Sequence, residues 1–505
     1  MADESWTRRE VLKAAVGVGM AALAAKAAGE PQPATVPDKA PRGSGTIGIQ
    51  MGLPPLATQD LDRLFDDLRR RAGVNALFPF IYTYAHVTAG MPAKGFHGGN
   101  FAIPRMQYYG RTSLNYQDMR APDFGDLDVM ARIIPVAKKH GMKTFAWVLE
   151  DHDRAPSASW EKLYEVDFHG RPALAHPAGP CYNNPLYLGF VLGLIEDYTR
   201  SYDIDGVMWS SERQGGFFNA LGAYAHGASA DPGRATCFCD FCTKKAKDLG
   251  IDVQRAKRGF TELERFVRDG RAGQRKALPP QRPRDGFFVT FFRLLLNYPE
   301  LLAWENLWIR SREELQLQIY KLVKSIKPAI PVGWHIWHNV SFSPLHRAEM
   351  DYSRLAKFSD YIKPVLYNNA AGERIRSFVD SFRGNVFGDL PPEQAMDVLY
   401  RELDYNEAGY DKVMETGLSA DYVMRETQRA VDDVKANGVE VWPGIDIDVP
   451  VPAGASQCTA EGVKQAVLAA FRGGASGLIL SRNYSEMNPE HLAGAGAALR
   501  ELGLG

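Results

Sequence analysis

The chain alternates between two hydrophobic periods. Short runs rich in β-branched and aromatic residues end in polar or aromatic positions, and each is followed by a stretch whose apolar residues recur at helical spacing. Eight short runs stand out: TIGIQMG (46–52), GVNALFPFIYTY (73–84), MKTFAWVLED (142–151), DGVMWSSE (205–212), IPVGWHIWHN (330–339), YIKPVLYNN (361–369), VEVWPGIDID (439–448) and SGLILSRNY (476–484). Between them LDRLFDDLRRRA (61–72), LDVMARIIPVAKKHG (127–141) and EGVKQAVLAAFRGG (461–474) read as helices, and two of these close on the basic residues or glycine that suit a helix C-terminus. Eight strands alternating with helices predict an α/β domain over 46–505, its parallel sheet closed into a (β/α)8 TIM barrel. The alternative, an open doubly wound sheet, lacks the Gly-rich phosphate loop expected after its first strand. Polar and aromatic residues gather at the C-terminal ends of the runs, the face where such barrels carry their chemistry.

One span breaks the alternation. Residues 213–325, between the fourth and fifth runs, form a predicted helical insertion far longer than a βα connection needs. It contains CFCDFC (237–242), a basic stretch KRGFTELERFVRDGRAGQRKALPPQRPR that reads as a solvated surface or an acidic-polymer site, and a long helical run in which Pro299 should start or kink a helix. At the other end, TRREVLK (7–13) precedes the mild apolar run AAVGVGMAALAA, which resembles a twin-arginine export signal, although Val11 stands where an aromatic is preferred. The expected organisation is therefore a signal peptide over 1–28, a Pro/Ala-rich linker over 29–45 and the barrel beyond, in a periplasmic or secreted bacterial protein. At about 12 residues the apolar run is too short to act as a stable membrane anchor. Lys plus Arg (59) balance Asp plus Glu (60), which gives no electrostatic case for nucleic acid as a partner.

Three of the five cysteines fall within six positions. Cys237, Cys239 and Cys242 are too crowded to pair easily with one another, yet Cys-x-Cys-x2-Cys suits a tetrahedral metal, and soft sulfur ligands point to zinc. Cys181, in GPCYNN, is the expected fourth ligand. Four thiolates close the coordination shell, so the ion would be structural; loading in the reducing cytoplasm before export fits the route. Buried or disulfide-linked cysteines are the alternative, and Cys458 reads as a lone buried thiol.

An upstream Cys joined to Cys-x-Cys-x2-Cys, flanking a fourth strand that ends in Glu, resembles the family 42 β-galactosidases. The resemblance covers the third to fifth strands and the barrel order, and it implies a retaining glycoside hydrolase with a structural zinc. The sequence departs from that family at two positions. The family's acid/base Glu follows Asn, whereas Ser211 precedes Glu212; its nucleophilic Glu ends strand seven, whereas this strand ends in GIDIDVP. No trimerisation or β-sandwich domain is expected after the eighth strand. The expectation is a distant relative with its own carbohydrate substrate.

Cleaving a glycosidic bond takes one carboxyl group to protonate the leaving oxygen and another to stabilise or attack the anomeric carbon. Glu212, where the fourth strand opens into a Gly-rich loop, is the candidate acid/base; burial beside Trp209 would raise its pKa, and Arg213 beside it would hold it ionised. Asp446 and Asp448 are the candidates for the second role, on one strand face with Ile445 and Ile447 on the other, and Glu486 and Glu373 stand in reserve. Trp147, Trp209, Trp334, Trp337, Tyr367 and Tyr484 are expected to stack on sugar faces, with His335, His338, Asn368 and Arg482 hydrogen-bonding hydroxyls. Two rival readings remain open at this stage. One is a carbohydrate-binding barrel without turnover, and the other is a metal-dependent hydrolase with His335, His338 and Asp446 or Glu150 on a catalytic ion. His-x2-His on a strand sends its rings to opposite faces, which argues against the second.

Overall fold

The eight apolar runs are eight strands, and the sheet they form closes on itself. They are β1 (Thr46–Met51), β2 (Ala76–Thr83), β3 (Lys143–Glu150), β4 (Gly206–Ser211), β5 (Val332–Ile336), β6 (Tyr361–Leu366), β7 (Glu440–Val441 and Gly444–Asp446) and β8 (Gly477–Ser481). In the computed structural model these strands pair in parallel, in sequence order. Gly48 of β1 sits opposite Ala76 of β2 on one side and Ile479 of β8 on the other. That double pairing makes the sheet a (β/α)8 barrel and excludes the open alternative. The structure describes residues 45–504 apart from 84–98, 101, 121–125, 151–157, 175–178, 223–230 and 273–284. The expected signal peptide and all but the last residue of the linker lie outside the described residues.

The period-2 alternation of each strand sorts its side chains between two cores. Phe78 and Phe80 of β2, Phe145 and Trp147 of β3, Met208 of β4 and Tyr361 of β6 point into the barrel. Their neighbours Leu77, Ile81, Val148, Val207 and Ile362 pack outward under the helices. Inside, Phe78 stacks on Phe145 at 4.5 Å and Tyr361 on Trp442 at 3.9 Å. Such large rings fit only because small residues face them. A Cβ on Gly206 would lie 2.3 Å from the Phe145 ring, and one on Gly333 2.4 Å from the Tyr361 ring. Pro443, which has no N–H for the ladder, divides β7 into its two pieces.

Local signals set the helix ends. Helix α1 (Leu61–Ala72) begins at Asp60, whose side chain accepts from the Arg63 N–H, and ends at Gly73 with φ 65°. Helix α2 (Val129–Lys139) is capped in the same way by Asp128. Helix α3 (Pro185–Ser201) follows β3. The span after β4 folds into helices α4 (Asp240–Asp248), α5 (Val253–Arg271), α6 (Phe287–Asn297) and α7 (Glu300–Ile326). Pro299 is the N-cap of α7, so it starts a helix as its ring geometry requires. The apolar face of α5 (Val253, Ala256, Phe260, Leu263, Val267) is buried, which leaves Arg258, Arg265 and Arg268 of the basic stretch exposed; its remainder, 273–284, lies outside the described residues. Helix α8 (Asn368–Val386) follows β6, α9 (Ala420–Val434) precedes β7, and α10 (Ala460–Arg472) and α11 (Pro489–Glu501) flank β8.

The aromatic filling makes a specific demand on Gly333. Tyr361 is pinned by its stack on Trp442 and cannot swing aside. Gly333→Ala should therefore lower the unfolding free energy by about 1–3 kcal/mol in urea titrations. A loss below about 0.5 kcal/mol would mean that the interior repacks freely.

Candidate active site

Above the aromatic filling, toward the strand C-termini, the barrel interior turns polar. Lys363 of β6 is fully buried there. Its Nζ donates to Gln50 Oε1 of β1 (3.0 Å), to His335 Nδ1 of β5 (3.2 Å) and toward the Tyr367 hydroxyl (3.4 Å). All three acceptors are neutral. Burial pushes the Lys363 ammonium down to about 7, against a partial upward pull from the Glu212 charge. Because the His335 Nδ1 accepts, its proton sits on Nε2, which donates to Glu212 Oε1 at 2.8 Å. Burial, aided by the Lys363 charge, pushes His335 down to about 4, so the imidazole is neutral near pH 7. Trp147 lies beside this group, stacked on His335 at 5.9 Å and donating its Nε1–H to Ser210 Oγ.

Glu212 follows β4 directly and is directed toward the axis by the same alternation that points Met208 and Ser210 inward. Its side chain is 29% exposed. Its charge is felt at Lys363, Tyr367, Arg374 and Arg482, which places all four around it. Arg213 is not its partner, contrary to the sequence expectation. That guanidinium is buried against Glu150 (3.4 Å) and Glu165 (4.0 Å) and lies over the Tyr182 ring. Asp446, at the end of β7, is buried; its Oδ1 accepts from the Val449 N–H and its Oδ2 from the Ala370 N–H. Burial raises its carboxyl to about 6, opposed by these bonds and by Arg374.

Asp448 does not share this face. The strand ends at Asp446, and Asp448 has φ 54°, so the expected alternation stops one residue short of it. Its carboxylate accepts from the Asn488 N–H and meets His491 Nδ1 at 2.7 Å. Cys458 lies beside that pair rather than alone. Of the reserves, Glu486 is buried and held bidentately by Arg482 (2.8 and 2.9 Å), and Glu373 is half-buried on α8.

The aromatic residues divide. Trp337 and Tyr367 lie just past β5 and β6, largely buried, at the level of the polar layer. Trp209 and Trp334 instead occupy the layer between strands and helices, edge-to-face at 6.4 Å, because odd positions of β4 and even positions of β5 point outward. Neither can stack on a ligand at the mouth, and Trp209 does not wall Glu212. Tyr484 packs toward α1, near Asp67 and Arg71. Asn368 opens α8, its carbonyl engaged by the Leu418 N–H. His338 faces Arg374 Nη1 through Nδ1 (2.8 Å) and the Tyr422 hydroxyl through Nε2 (3.0 Å). Among the described residues, neither His335 nor His338 belongs to a set of converging metal-ligating atoms, and Glu150 is committed to Tyr182, Tyr187 and Arg213.

Gln50, Lys363 and Arg374 escaped the sequence reading. Lys363 carried a signal, since a single charge inside the apolar run YIKPVL is costly unless it is used. Arg374, one of several arginines on α8, carried none.

The four cysteines do converge. Cys181, Cys237, Cys239 and Cys242 bring their sulfurs within 4.8 Å of one another. Cys181 Sγ is 3.6 Å from Cys239 and 3.4 Å from Cys242, far beyond a disulfide bond of about 2.05 Å, and all are free thiols. This donor set fits one tetrahedral ion.

Among solved structures, the chain is similar to the β-galactosidase of the Antarctic haloarchaeon Halorubrum lacusprofundi, at 13% identity and a TM-score of 0.50 over 91% of this chain and 58% of that one. It is also similar to α-L-fucosidase isoenzyme 2 of Paenibacillus thiaminolyticus (13% identity, TM-score 0.47, 90% and 49%) and to a GH42 β-galactosidase of G. stearothermophilus (10%, 0.41, 91% and 57%). The expected barrel fold is thus shared with a solved β-galactosidase. The chain spans less than two thirds of the length of each of these proteins. No family model and no curated protein matches it.

The buried ammonium makes stability depend on pH. Between about 7 and its ordinary 10.5, Lys363 is protonated in the unfolded chain and neutral in the folded one, so stability rises with pH across that window. Lys363→Met should remove the rise. Between about pH 7.5 and pH 9 the wild type should gain about 2 kcal/mol relative to the variant in urea unfolding, whereas parallel curves would show that Lys363 keeps an ordinary pKa.

Proposed function

We propose that this protein is an exported glycoside hydrolase in which Glu212 is the general acid/base and Asp446 the second carboxylate. The observation that carries the reading is the position of Glu212: a partly exposed carboxyl at the C-terminal end of β4, steadied by a neutral His335 that Lys363 fixes in one tautomer. In the reaction Glu212 passes its proton to the leaving glycosidic oxygen, and water ends up on the anomeric carbon, with Asp446 either attacking that carbon or activating the water. His335 holds Glu212 Oε1 and so orients the carboxyl at the barrel axis. Tyr367 and Trp337 supply the aromatic surface of the mouth.

The four cysteines hold a structural zinc in this reading. A regular tetrahedron of thiolates around zinc, with bonds of about 2.3 Å, has sulfur–sulfur edges of about 3.8 Å. The 3.4 and 3.6 Å separations of Cys181 from Cys242 and Cys239 lie close to that edge. The ion would be enclosed by protein sulfur and remote from the reaction. Export by the twin-arginine route would carry the folded, metal-loaded chain.

A second reading, a carbohydrate-binding barrel without turnover, is favoured by one observation. Asp446 is buried, and both its oxygens already accept backbone N–H groups. Glu212→Gln decides between the two. For the hydrolase, reducing-sugar release from a cleaved glycoside should fall by about 10²–10⁴ in kcat with sugar binding retained. A wild type that binds sugars and cleaves none across a broad panel of glycosides would establish the binding protein.

The metal is tested separately. Purified chain should contain about one zinc by elemental analysis, and Cys239→Ser should lower the thermal midpoint by several degrees while the remaining folded protein keeps its turnover. Zinc-free protein of unchanged stability would remove the metal from this reading.

A further inference from the structure

The barrel mouth contains two buried cations that no carboxylate of the described residues touches. Arg374, on the second turn of α8, is only 8% exposed, and Lys363 is fully buried. Among the described residues neither has a carboxylate within 4.0 Å. Arg482 is different, since Glu486 neutralises it with a bidentate pair. A single hydrogen bond, from Nη1 to the neutral His338, engages the Arg374 guanidinium, and its other N–H groups meet no protein acceptor among the described residues. Buried cations are normally paired, because the desolvation penalty of a lone charge is several kcal/mol. Both cations flank one ring. Lys363 Nζ is 5.6 Å and Arg374 Cζ 5.8 Å from the centre of Tyr367, and both respond to the Glu212 charge.

The proposed chemistry sharpens this. When Glu212 is the protonated acid, Arg374 loses a carboxylate charge that otherwise acts on it, and the guanidinium's positive charge is left with less to answer it in the state that meets the substrate. A neutral sugar would leave it unanswered. An anionic substituent would answer it, and a planar carboxylate or a sulfate matches the free edge of a guanidinium.

We propose that the barrel mouth selects sugars bearing an anionic group, a carboxylate or a sulfate, which Arg374 holds beside Tyr367. The inference rests on the carbohydrate reading of the site and narrows its substrate class. Asn368 and Trp337 line the same rim and face the sugar's neutral hydroxyls and ring.

Direct binding tests this without requiring turnover. The intact chain is titrated calorimetrically at low salt with D-galacturonate, D-glucuronate and galactose 6-sulfate, and with D-galactose and D-glucose as neutral parents. At least one anionic sugar should bind about tenfold or more tightly than its parent, and which one distinguishes a carboxylate site from a sulfate site. Arg374→Met should abolish the preference and Arg374→Lys retain part of it. The wild-type comparison decides by itself if the variants fail to fold. The proposal is overturned if every neutral parent binds as tightly as its anionic counterpart, or if none of the anionic sugars binds. A protein that holds galacturonate through Arg374 yet cleaves no glycoside keeps this inference and loses the hydrolase. One that cleaves neutral glycosides through Glu212 and ignores acid sugars does the reverse.

Discussion

A closed ring of parallel strands offers each side chain two destinations, the barrel axis or the layer under the helices, and neighbours along a strand take opposite ones. Everything at the mouth depends on that sorting. In β4 it sends Met208 and Ser210 to the axis, Trp209 to the outer layer, and Glu212 back toward the axis as the strand ends. In β5 it brings His335 inside and leaves Trp334 outside. The lower interior is filled with aromatic rings, and the centre of one of them, Trp147, lies 6.0 Å from Lys363 Nζ. The low pKa of this lysine is therefore a consequence of how the barrel is packed, and the neutral acceptors around it let the ammonium be held without an ion pair.

The long span after β4 is tied to the barrel by a second buried system. Arg213, desolvated between Glu150 and Glu165, joins the end of β3 to the segment preceding the cysteines, and Tyr182 bridges Glu150 and Ser211. Cys181, in that same segment, meets Cys239 and Cys242 at the N-terminus of α4. Further out, Arg312 pairs with Glu349 at 2.6 Å, while Glu305, pushed up to about 8 by burial and by Glu349, accepts from the Phe217 N–H. Breaking one member of such a network strands a buried charge, which is why it fixes the insertion in one position. The network has no part in the polar layer around Glu212, so structural carboxylates and the candidate catalytic one are kept apart by the strand wall itself.

Much of this protein was legible in its sequence. The eight strands, the barrel, the Pro299 helix start and the four-cysteine cluster follow from local signals: period-2 runs, a ring that fixes φ, and ligand spacing. The place of Glu212 directly after β4 was legible too, since the run DGVMWSSE ends on it. What the tertiary structure alone decided is direction. Trp209 and Trp334 read as mouth aromatics until strand parity put them outside, and Asp448 read as the twin of Asp446 until a left-handed turn carried it to His491. Arg374 became notable only when the fold set it beside Tyr367 with no carboxylate in reach. Sequence spacing fixes which residues share an element, whereas the pairing of distant strands around a closed ring determines which charges meet and which remain unanswered.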